Sequence, residues 1–437
     1  MKVLKFGSAS IATAGKLKTV ADIAIREHGN FIVLSSMKGT AEALTEISEY
    51  LYKKNQEGAC EIITKLEIDY LALVSNIFDE GERKIDAVKF VNSVFDYIRT
   101  FTKDLFTLFE ERIILAQGEI LSSQLFYLLM KQRGVHAVLI PALDYIRTDK
   151  NSIPDSTFIK EKLTSLLQAD ANADLYITQG YICRNFYGEI DDLRKGGSDF
   201  TASLVGVALD ADEIQIWADV DVMQNNNPRY VQNTSAVRHL NFDEAAELAY
   251  FSEKILHPTS IAPAKLANIP VRLMSTESPD ADGTLISNIT EENVIKAVAA
   301  KDNITAIKIK SGKMLLAHGF LRRIFEVFDQ YQTSIDMLTT SEVGISITID
   351  DVRNINKIVE DLKKYGTVSV DNDMVIVSVV GDLRWTNIGV EASILEAVKD
   401  IPVRMISYGG SNNNISFMVR KSDKEKTLQR LNDTLFK

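Results

Sequence analysis

The stretch LRKGGSDF at residues 193–200 joins a predicted β-hairpin to a predicted helix. An apolar run of strand type, residues 175–178, precedes it, and apolar residues at helical spacing follow it. Its two adjacent glycines allow a ligand to approach the backbone closely, and Ser198 can cap the helix whose first-turn amides then face that ligand. With Lys195 beside them, the pattern favours a bound phosphate or carboxylate, although plain helix capping uses the same residues.

Bulk composition narrows the class of protein. The 437 residues favour two or three domains, and 46% hydrophobic with 25% charged residues is typical of a folded chain. The net charge of −11 opposes general nucleic-acid binding, and no apolar run is expected to be long enough to span a membrane. Cys60 and Cys183 lack metal-ligand spacing, and the first residues have strand rather than signal-peptide character, so a reduced cytoplasmic protein is predicted.

Strand–loop–helix units open the chain. Residues 2–6 form a predicted strand followed by small residues and a helix, and residues 31–34 begin a second unit. Two such units predict a parallel sheet with ligands at the carboxyl ends of its strands, and neither loop has P-loop or dinucleotide-binding spacing. Residues 50–131 predict a helical layer in which Gly118 starts a helix, so Glu119 alone would be an ordinary first-turn carboxylate.

The remaining pattern predicts a nucleotide-side loop and a change of architecture. Asp219 and the segment NNNPR at residues 225–229 follow a predicted strand, where ordinary turn formation is an equal alternative. Lys254, near the end of a predicted helix, could reach a phosphate. Beyond residue 288 two rounds of strand, helix, two strands, helix and strand predict an internal repeat of ferredoxin-like modules.

Together and in this order, these motifs resemble those of the aspartokinases, within the amino acid kinase family, followed by two ACT domains. The matching motifs are KFGSAS at residues 5–10, LSSMKG at 34–39, GE at 118–119, KGGSD at 195–199, IWADV at 216–220, NPR at 227–229 and KILHP at 254–258. The resemblance covers essentially the whole chain. It implies an α/β fold, with a three-layer amino acid kinase domain around a mostly parallel sheet at residues 1–287 and ferredoxin-like βαββαβ ACT modules at residues 298–371 and 372–437.

The resemblance also implies an activity. An aspartate kinase transfers the γ-phosphoryl group of ATP, with Mg²⁺, to the β-carboxylate of L-aspartate, which gives 4-phospho-L-aspartate for lysine, threonine and methionine biosynthesis. Lys5 would stabilise the transferring group, and Asp199 would orient Lys5. The implied substrate-side residues are Ser35, Glu119, Lys195 and Ser198. The implied nucleotide-side residues are Gly7, Ser8, Ala218, Asp219, Gln224, Arg229 and Lys254.

Several positions depart from the family pattern. Ser8 and Ala9 replace Gly-Thr, Gln224 replaces a nucleotide-stacking tyrosine, and Lys195 replaces the arginine of the substrate carboxylate clamp. Because lysine is a point charge and arginine a bidentate fork, either Lys195 or, after a register shift, Arg194 could fill the clamp. Two alternatives to an aspartate kinase stay open: a catalytically impaired amino-acid sensor and a kinase for another amino acid or carboxylate.

The C-terminal half resembles the lysine-sensitive aspartokinases in particular. The residues implied to meet an amino acid effector are Met314, Phe320, Leu321, Ser334, Ile335, Asp336, Ser341 and Glu342. The resemblance implies allosteric inhibition by L-lysine and a homodimer, or a dimer of dimers, formed through the ACT domains. Taken without the resemblance, these residues would be edge and turn positions of a small sheet, and the choice between lysine and threonine as effector stays open.

Overall fold

The computed structural model describes residues 1–26, 29–103, 105–194, 196–219, 223–251, 257–312 and 318–436. In its first half the elements are β1 Lys2–Phe6, α1 Ala14–Ala24, β2 Asn30–Leu34, α2 Thr40–Tyr52, α3 Gln56–Ile77, α4 Glu82–Thr100, α5 Leu108–Gln132, β3 Ala137–Leu139, α6 Ala142–Tyr145, α7 Ser156–Gln168, β4 Leu175–Gln179, β5 Ile182–Arg184, β6 Ile190–Asp192, α8 Gly197–Ala208 and β7 Glu213–Ala218. They continue with β8 His239–Asn241, α9 Phe242–Phe251, α10 Ala262–Ala267, β9 Val271–Ser275, β10 Thr284–Ser287, β11 Ile295–Lys310, α11 Phe320–Gln330, β12 Leu338–Ser341, β13 Gly344–Ile349, α12 Ile355–Leu362, β14 Thr367–Gly381, α13 Val390–Ala397, β15 Met405–Tyr408, β16 Asn414–Arg420 and α14 Lys424–Leu435.

The chain divides into two compact units that are not simply sequential. Met1–Met223 and Ile255–Asn288 form the first unit, and Gln224–Lys254 and Ile289–Lys437 form the second. The segment that contains β8 and α9 therefore belongs to the second unit, although it precedes the last strands of the first.

A mostly parallel sheet forms the centre of the first unit. Its strands lie in the order β3-β4-β2-β1-β7-β9-β10. The neighbours from β3 to β9 pair in parallel, and β10 joins β9 in the antiparallel direction. This arrangement confirms the predicted α/β fold with a mostly parallel sheet. Because parallel strands end at one edge of the sheet, the loops after β1, β2, β4 and β7 share that edge.

Helices cover both faces of this sheet. Leu4 and Phe6 of β1 lie in the apolar core that the sheet forms with α1 to α5. Since side chains alternate along a strand, Lys5 points to the opposite face. That face carries α8, which packs on β1, β2 and β7. Gly206 of α8 lies so close to the sheet that an added Cβ would stand 2.5 Å from Cδ1 of Ile214.

The long helix α5 corrects two predictions. It begins at Leu108, after a capping box in which Thr107 and Glu110 bond to each other's backbone amides, so Gly118 lies inside the helix rather than at its start. Among the described residues, α5 is also long and apolar enough to cross a membrane by length and composition, contrary to the expectation that no run has that length. Because 78% of its apolar 18-residue window is buried, it is the core helix of this unit.

The second unit is built on an antiparallel sheet with the order β12-β13-β11-β14-β16-β15. Residues 306–310 of β11 pair with residues 367–371 of β14, whereas residues 295–301 pair with residues 376–381. The two predicted rounds of strands and helices are present. The second round takes its fourth strand from residues 295–301, and Val298 accordingly lies in the core of that round.

Candidate active site

Two neighbouring strand ends bring the first predicted motifs together. In the parallel pairing of β1 with β2, Phe6 lies opposite Leu34. Ser35 then donates its backbone amide to the Phe6 carbonyl at 3.2 Å. The loop that begins at Gly7 and the loop that begins at Ser35 consequently leave the same edge of the sheet side by side.

Lys5 and Asp199 form an ion pair at this edge. The Lys5 ammonium lies 2.7 Å from Oδ1 of Asp199, and the two side chains are only 12% and 16% exposed. Asp199 lies in the first turn of α8, on the face of the sheet toward which Lys5 points. The structure thus joins the two residues that the sequence predicts as catalytic, although they are far apart along the chain.

The glycine loop before α8 differs from the simple prediction in one respect. Gly196, with φ +90°, is the N-cap residue, and no side chain caps the helix, so the prediction that Ser198 caps it is wrong. Ser198 instead accepts a hydrogen bond from Ser35 Oγ at 2.9 Å. A Cβ added to Gly180 would lie 2.3 Å from the Ser198 Cβ, so only glycine at the end of β4 allows this approach.

Glu119 lies inside the fold beside the loop after β2. Its side chain is 6% exposed and accepts a hydrogen bond from the Ser36 amide at 3.3 Å. Burial raises the pKa of Glu119 to about 7, because it disfavours the charged carboxylate. Ser122, one turn further along α5, donates to the Ser35 carbonyl at 2.7 Å. Glu119 is therefore a core-facing group held against the loop after β2, not an exposed first-turn carboxylate.

The hairpin before the glycine loop carries a further ion pair that the sequence did not single out. Arg112 of α5 lies 3.2 Å from Asp191 of β6, and both side chains are largely buried. Arg194 is exposed, with φ +50°, and donates its amide to Asp192. Lys195, the other candidate for the carboxylate clamp, lies outside the described residues.

The nucleotide-side predictions for the first unit meet at the ends of β1 and β7. Gly7 donates its amide to the Trp217 carbonyl at 3.3 Å, and Ser8 opens a short 3-10 helix, Ser8–Ile11. Ala218 ends β7, and its carbonyl accepts the Thr276 amide at 2.8 Å. Asp219 follows directly. The two loops therefore begin next to each other.

Lys16 is the residue at this edge that sequence reasoning missed. Its ammonium lies 3.3 Å from Asp219 Oδ2 and donates to the Ala9 carbonyl at 3.2 Å. The only local signal is its position in the first turn of α1, where Thr13 caps the helix. Helical periodicity explains that turn fully, so only the tertiary fold reveals the contact with Asp219.

The other predicted nucleotide-side residues belong to the second unit or fall outside the described residues. Gln224 and Arg229 belong to the second unit, where Arg229 is exposed. Within that unit Asn226 donates to the Leu428 carbonyl, and Asn227 accepts the Arg229 amide. The Asn227 contact is the turn role that the sequence offered as the alternative, whereas the Asn226 contact was not predicted. Lys254 lies outside the described residues.

The predicted effector residues fall into three groups in the second unit. Phe320 is buried in the core of the first ACT-type round and Ile335 packs against that core, whereas Asp336 is buried in an ion pair. The exposed members are Leu321, Ser334, Ser341 and Glu342. Met314 lies outside the described residues. Asp336 thus pairs with β13 at the edge of the sheet, as the alternative reading predicts, but its side chain is buried in an ion pair.

Known proteins resemble the chain over its full length. The sequence pattern of the amino acid kinase family matches residues 1–275, and that of an ACT domain matches residues 377–435. The lysine-sensitive aspartokinase 3 of Escherichia coli (strain K12) is 30% identical, over 99% of this chain and 99% of the relative. The crystal structure of E. coli aspartokinase III in complex with lysine and aspartate, a T-state, has 28% identity, covers 100% of both chains and superposes with a TM-score of 0.86. The structure of the same enzyme with aspartate and ADP, an R-state, has 28% identity, covers 100% of both chains and gives 0.81.

Proposed function

Because this chain belongs to the amino acid kinase family, and within it to the aspartokinases, we propose that it transfers the γ-phosphoryl group of ATP to the β-carboxylate of L-aspartate. The product is 4-phospho-L-aspartate, the first intermediate toward lysine, threonine and methionine. The observation that carries the proposal is the buried Lys5–Asp199 ion pair at the sheet edge, 2.7 Å long. The E. coli structure with aspartate and ADP supports the same pair of ligands for this chain.

The substrate side of the site is proposed around Glu119. Its carboxylate would pair with the aspartate ammonium, and the hydroxyls of Ser35 and Ser198, which are 2.9 Å apart, would bond to the substrate carboxylates. Lys195 would supply the cation for a substrate carboxylate. Because Ser36 and Ser122 tie the Ser35 loop to α5, these groups are positioned before substrate arrives.

The chemistry requires charge control rather than a base. A carboxylate nucleophile at neutral pH is already ionised, and both reacting partners are anions that repel each other. Lys5 would therefore stabilise the negative charge on the transferring group, and Asp199 would hold the Lys5 ammonium in place. Asp199 is a positioning residue in this scheme.

The nucleotide would lie along the loops after β1 and β7. Gly7 would let the phosphates approach the chain closely, Ser8 would offer its backbone amide to them, and Ala218 and Asp219 would form the neighbouring wall. When bound with ATP, Mg²⁺ neutralises phosphate charge. Asp219 would be the carboxylate that helps to hold the ion. Gln224, Arg229 and Lys254 remain proposed nucleotide contacts.

Lys16→Ala is expected to raise KM for ATP about fivefold while kcat changes by less than about twofold, the scale of one partly exposed ion pair. The reason is that Lys16 fastens the loop after β1 to Asp219. Steady-state kinetics at saturating aspartate measure the effect. Lys16→Arg should restore KM, and Lys18→Ala, at an exposed position on the same helix, is the control. If KM for aspartate rose instead, Lys16 would act on the aspartate-binding part of the site, and its proposed role on the nucleotide side would be wrong.

Regulation is proposed for the second unit. The ACT modules at residues 298–371 and 372–437 would bind L-lysine near Asp336 and join two subunits into a homodimer or a dimer of dimers, and the kinase domain would span residues 1–287. The E. coli complex with lysine and aspartate supports lysine as effector. We place the protein in the cytoplasm, where ATP and aspartate are available.

A hydroxylamine trap tests the activity. Purified protein with ATP, Mg²⁺ and aspartate should form aspartyl hydroxamate, and the Lys5→Ala protein should form almost none. Hydroxamate no higher than in that variant, together with calorimetric lysine binding, would instead favour an impaired amino-acid sensor. Faster turnover of another carboxylate in a substrate panel would indicate a kinase for that compound.

A further inference from the structure

Four elements of the second unit meet around the ammonium of Lys301. This ammonium lies 2.9 Å from Asp336 Oδ1, 2.9 Å from Asp350 Oδ2 and 4.1 Å from the centre of the Tyr250 ring. Lys301 stands where the register of β11 shifts, between the half that serves the second ACT-type round and the half that serves the first. We call the group formed by Asp336, Asp350 and Tyr250 the ammonium cage.

Within the part of the chain that the structure describes, one oxygen of the cage has no hydrogen-bond partner. The Asp336 side chain is 1% exposed, and its Oδ1 accepts hydrogen bonds from both Lys301 and the Tyr250 hydroxyl. Its Oδ2 is buried and has no hydrogen-bond partner among the described residues. A buried carboxylate oxygen without a donor is costly, so Asp336 is suited to accept one more donor from a ligand.

The charge of the cage indicates which kind of donor. The carboxylates of Asp336 and Asp350 carry two negative charges, and the Lys301 ammonium compensates only one of them. Tyr250 adds none, because burial and the hydrogen bond to Asp336 raise its pKa to about 12. A second ammonium would therefore satisfy both the charge and the free oxygen.

We propose that Lys301 is a built-in competitor of the amino acid effector for Asp336. The effector ammonium donates to Asp336 Oδ2, and the like charge of Lys301 at Oδ1 opposes its binding. A shift of Lys301 toward Asp350, which is 41% exposed and already 2.9 Å away, reduces that repulsion. Lys301 and Asp350 thereby set the effector concentration at which the site fills. This inference rests on the proposed lysine regulation, and it adds Lys301 and Asp350 to the residues that govern it.

Two substitutions with opposite expected effects test the proposal. Lys301→Met removes the competing charge, so the full-length protein should bind L-lysine about tenfold more tightly by calorimetry. Asp350→Asn removes the carboxylate toward which Lys301 can shift. Because Lys301 then stays at Asp336, lysine binding should weaken about tenfold. The half-maximal lysine concentration for inhibition should shift in the same directions. Lys357→Met, at an exposed position of α12, and Tyr331→Phe, which removes another tyrosine–aspartate hydrogen bond of this unit, should change neither value.

The outcomes distinguish the proposed lysine regulation from the proposed role of Lys301. If the unmodified protein binds no lysine, the proposed lysine regulation fails. If it binds lysine but Lys301→Met leaves binding unchanged or weakens it, while circular dichroism shows that the variant is folded, competition by Lys301 is wrong and the lysine site stands. Asp350→Asn changes a partly exposed group and provides the same test should Lys301→Met not fold. If Asp350→Asn bound L-lysine equally well or more tightly, Asp350 would not be the carboxylate that draws Lys301 away from Asp336.

Discussion

Lys5→Ala is expected to lower kcat about a thousandfold, with KM for aspartate and ATP changed much less. The Lys5 ammonium is the described cation that lies within 2.7 Å of Asp199 at the sheet edge. Removing it deletes the charge that stabilises the transferring phosphoryl group, an interaction made mainly in the transition state. It also leaves the largely buried Asp199 carboxylate uncompensated next to two anionic reactants, which adds repulsion.

Steady-state kinetics of purified variants measure this effect. Asp199→Asn should cost less, about thirtyfold in kcat, because Lys5 keeps its charge and loses only its orientation. Lys18→Ala, a lysine on the surface of α1, should behave as the unmodified protein. If Lys5→Ala raised KM for ATP and left kcat intact, Lys5 would be a binding residue rather than a catalytic one.

Glu119→Gln is expected to raise KM for aspartate about a hundredfold. Glu119 is 6% exposed, and a buried carboxylate paired with a substrate ammonium contributes a few kcal/mol to binding. The amide keeps the shape and the hydrogen bond from Ser36 but loses the charge. Glu46→Gln, on the exposed side of α2, should have no effect on KM.

The same residue predicts a pH dependence. Burial raises the pKa of Glu119 to about 7, and only the ionised carboxylate can pair with the substrate ammonium. KM for aspartate should therefore fall as pH rises from about 6 to about 8, and the dependence should flatten in Glu119→Gln. A pH profile that persists unchanged in this variant would mean that another group controls binding.

In the absence of substrate, the free energy of unfolding should fall as pH rises, although aspartate binding improves over the same range. Because the folded-state pKa is raised, the fold binds the proton more strongly than the unfolded chain does. Glu119 therefore costs stability progressively as pH rises from about 4.5 to about 7, by about 3 kcal/mol once it is fully ionised. Thermal unfolding at pH 5 and pH 8, compared with Glu119→Gln, measures this cost, and aspartate should reduce it at pH 8.

Much of the fold follows from local sequence patterns. The strand–loop–helix units around residues 2–6 and 31–34 predict the parallel sheet correctly, because burial on both faces makes such strands continuously apolar. The helical layer from residue 50 to residue 131 and the two rounds beyond residue 288 follow from periodicity in the same way. The prediction that Gly118 starts a helix was wrong. The Thr107–Glu110 capping box, which the sequence already contains, begins the helix at Leu108 instead.

The sequence by itself determined which chemical groups this aspartokinase carries and which loops they lie on. Only the tertiary structure decided which of them meet. The pairing of Lys5 with Asp199, the contact of Lys16 with Asp219 and the seat of Lys301 between Asp336 and Asp350 join residues that are distant along the chain. Local periodicity fixes the face of each strand or helix on which a side chain lies, whereas strand order and register fix its neighbour. For that reason the helix that follows the loop LRKGGSDF was predictable, and Ser198 as the partner of Ser35 was not.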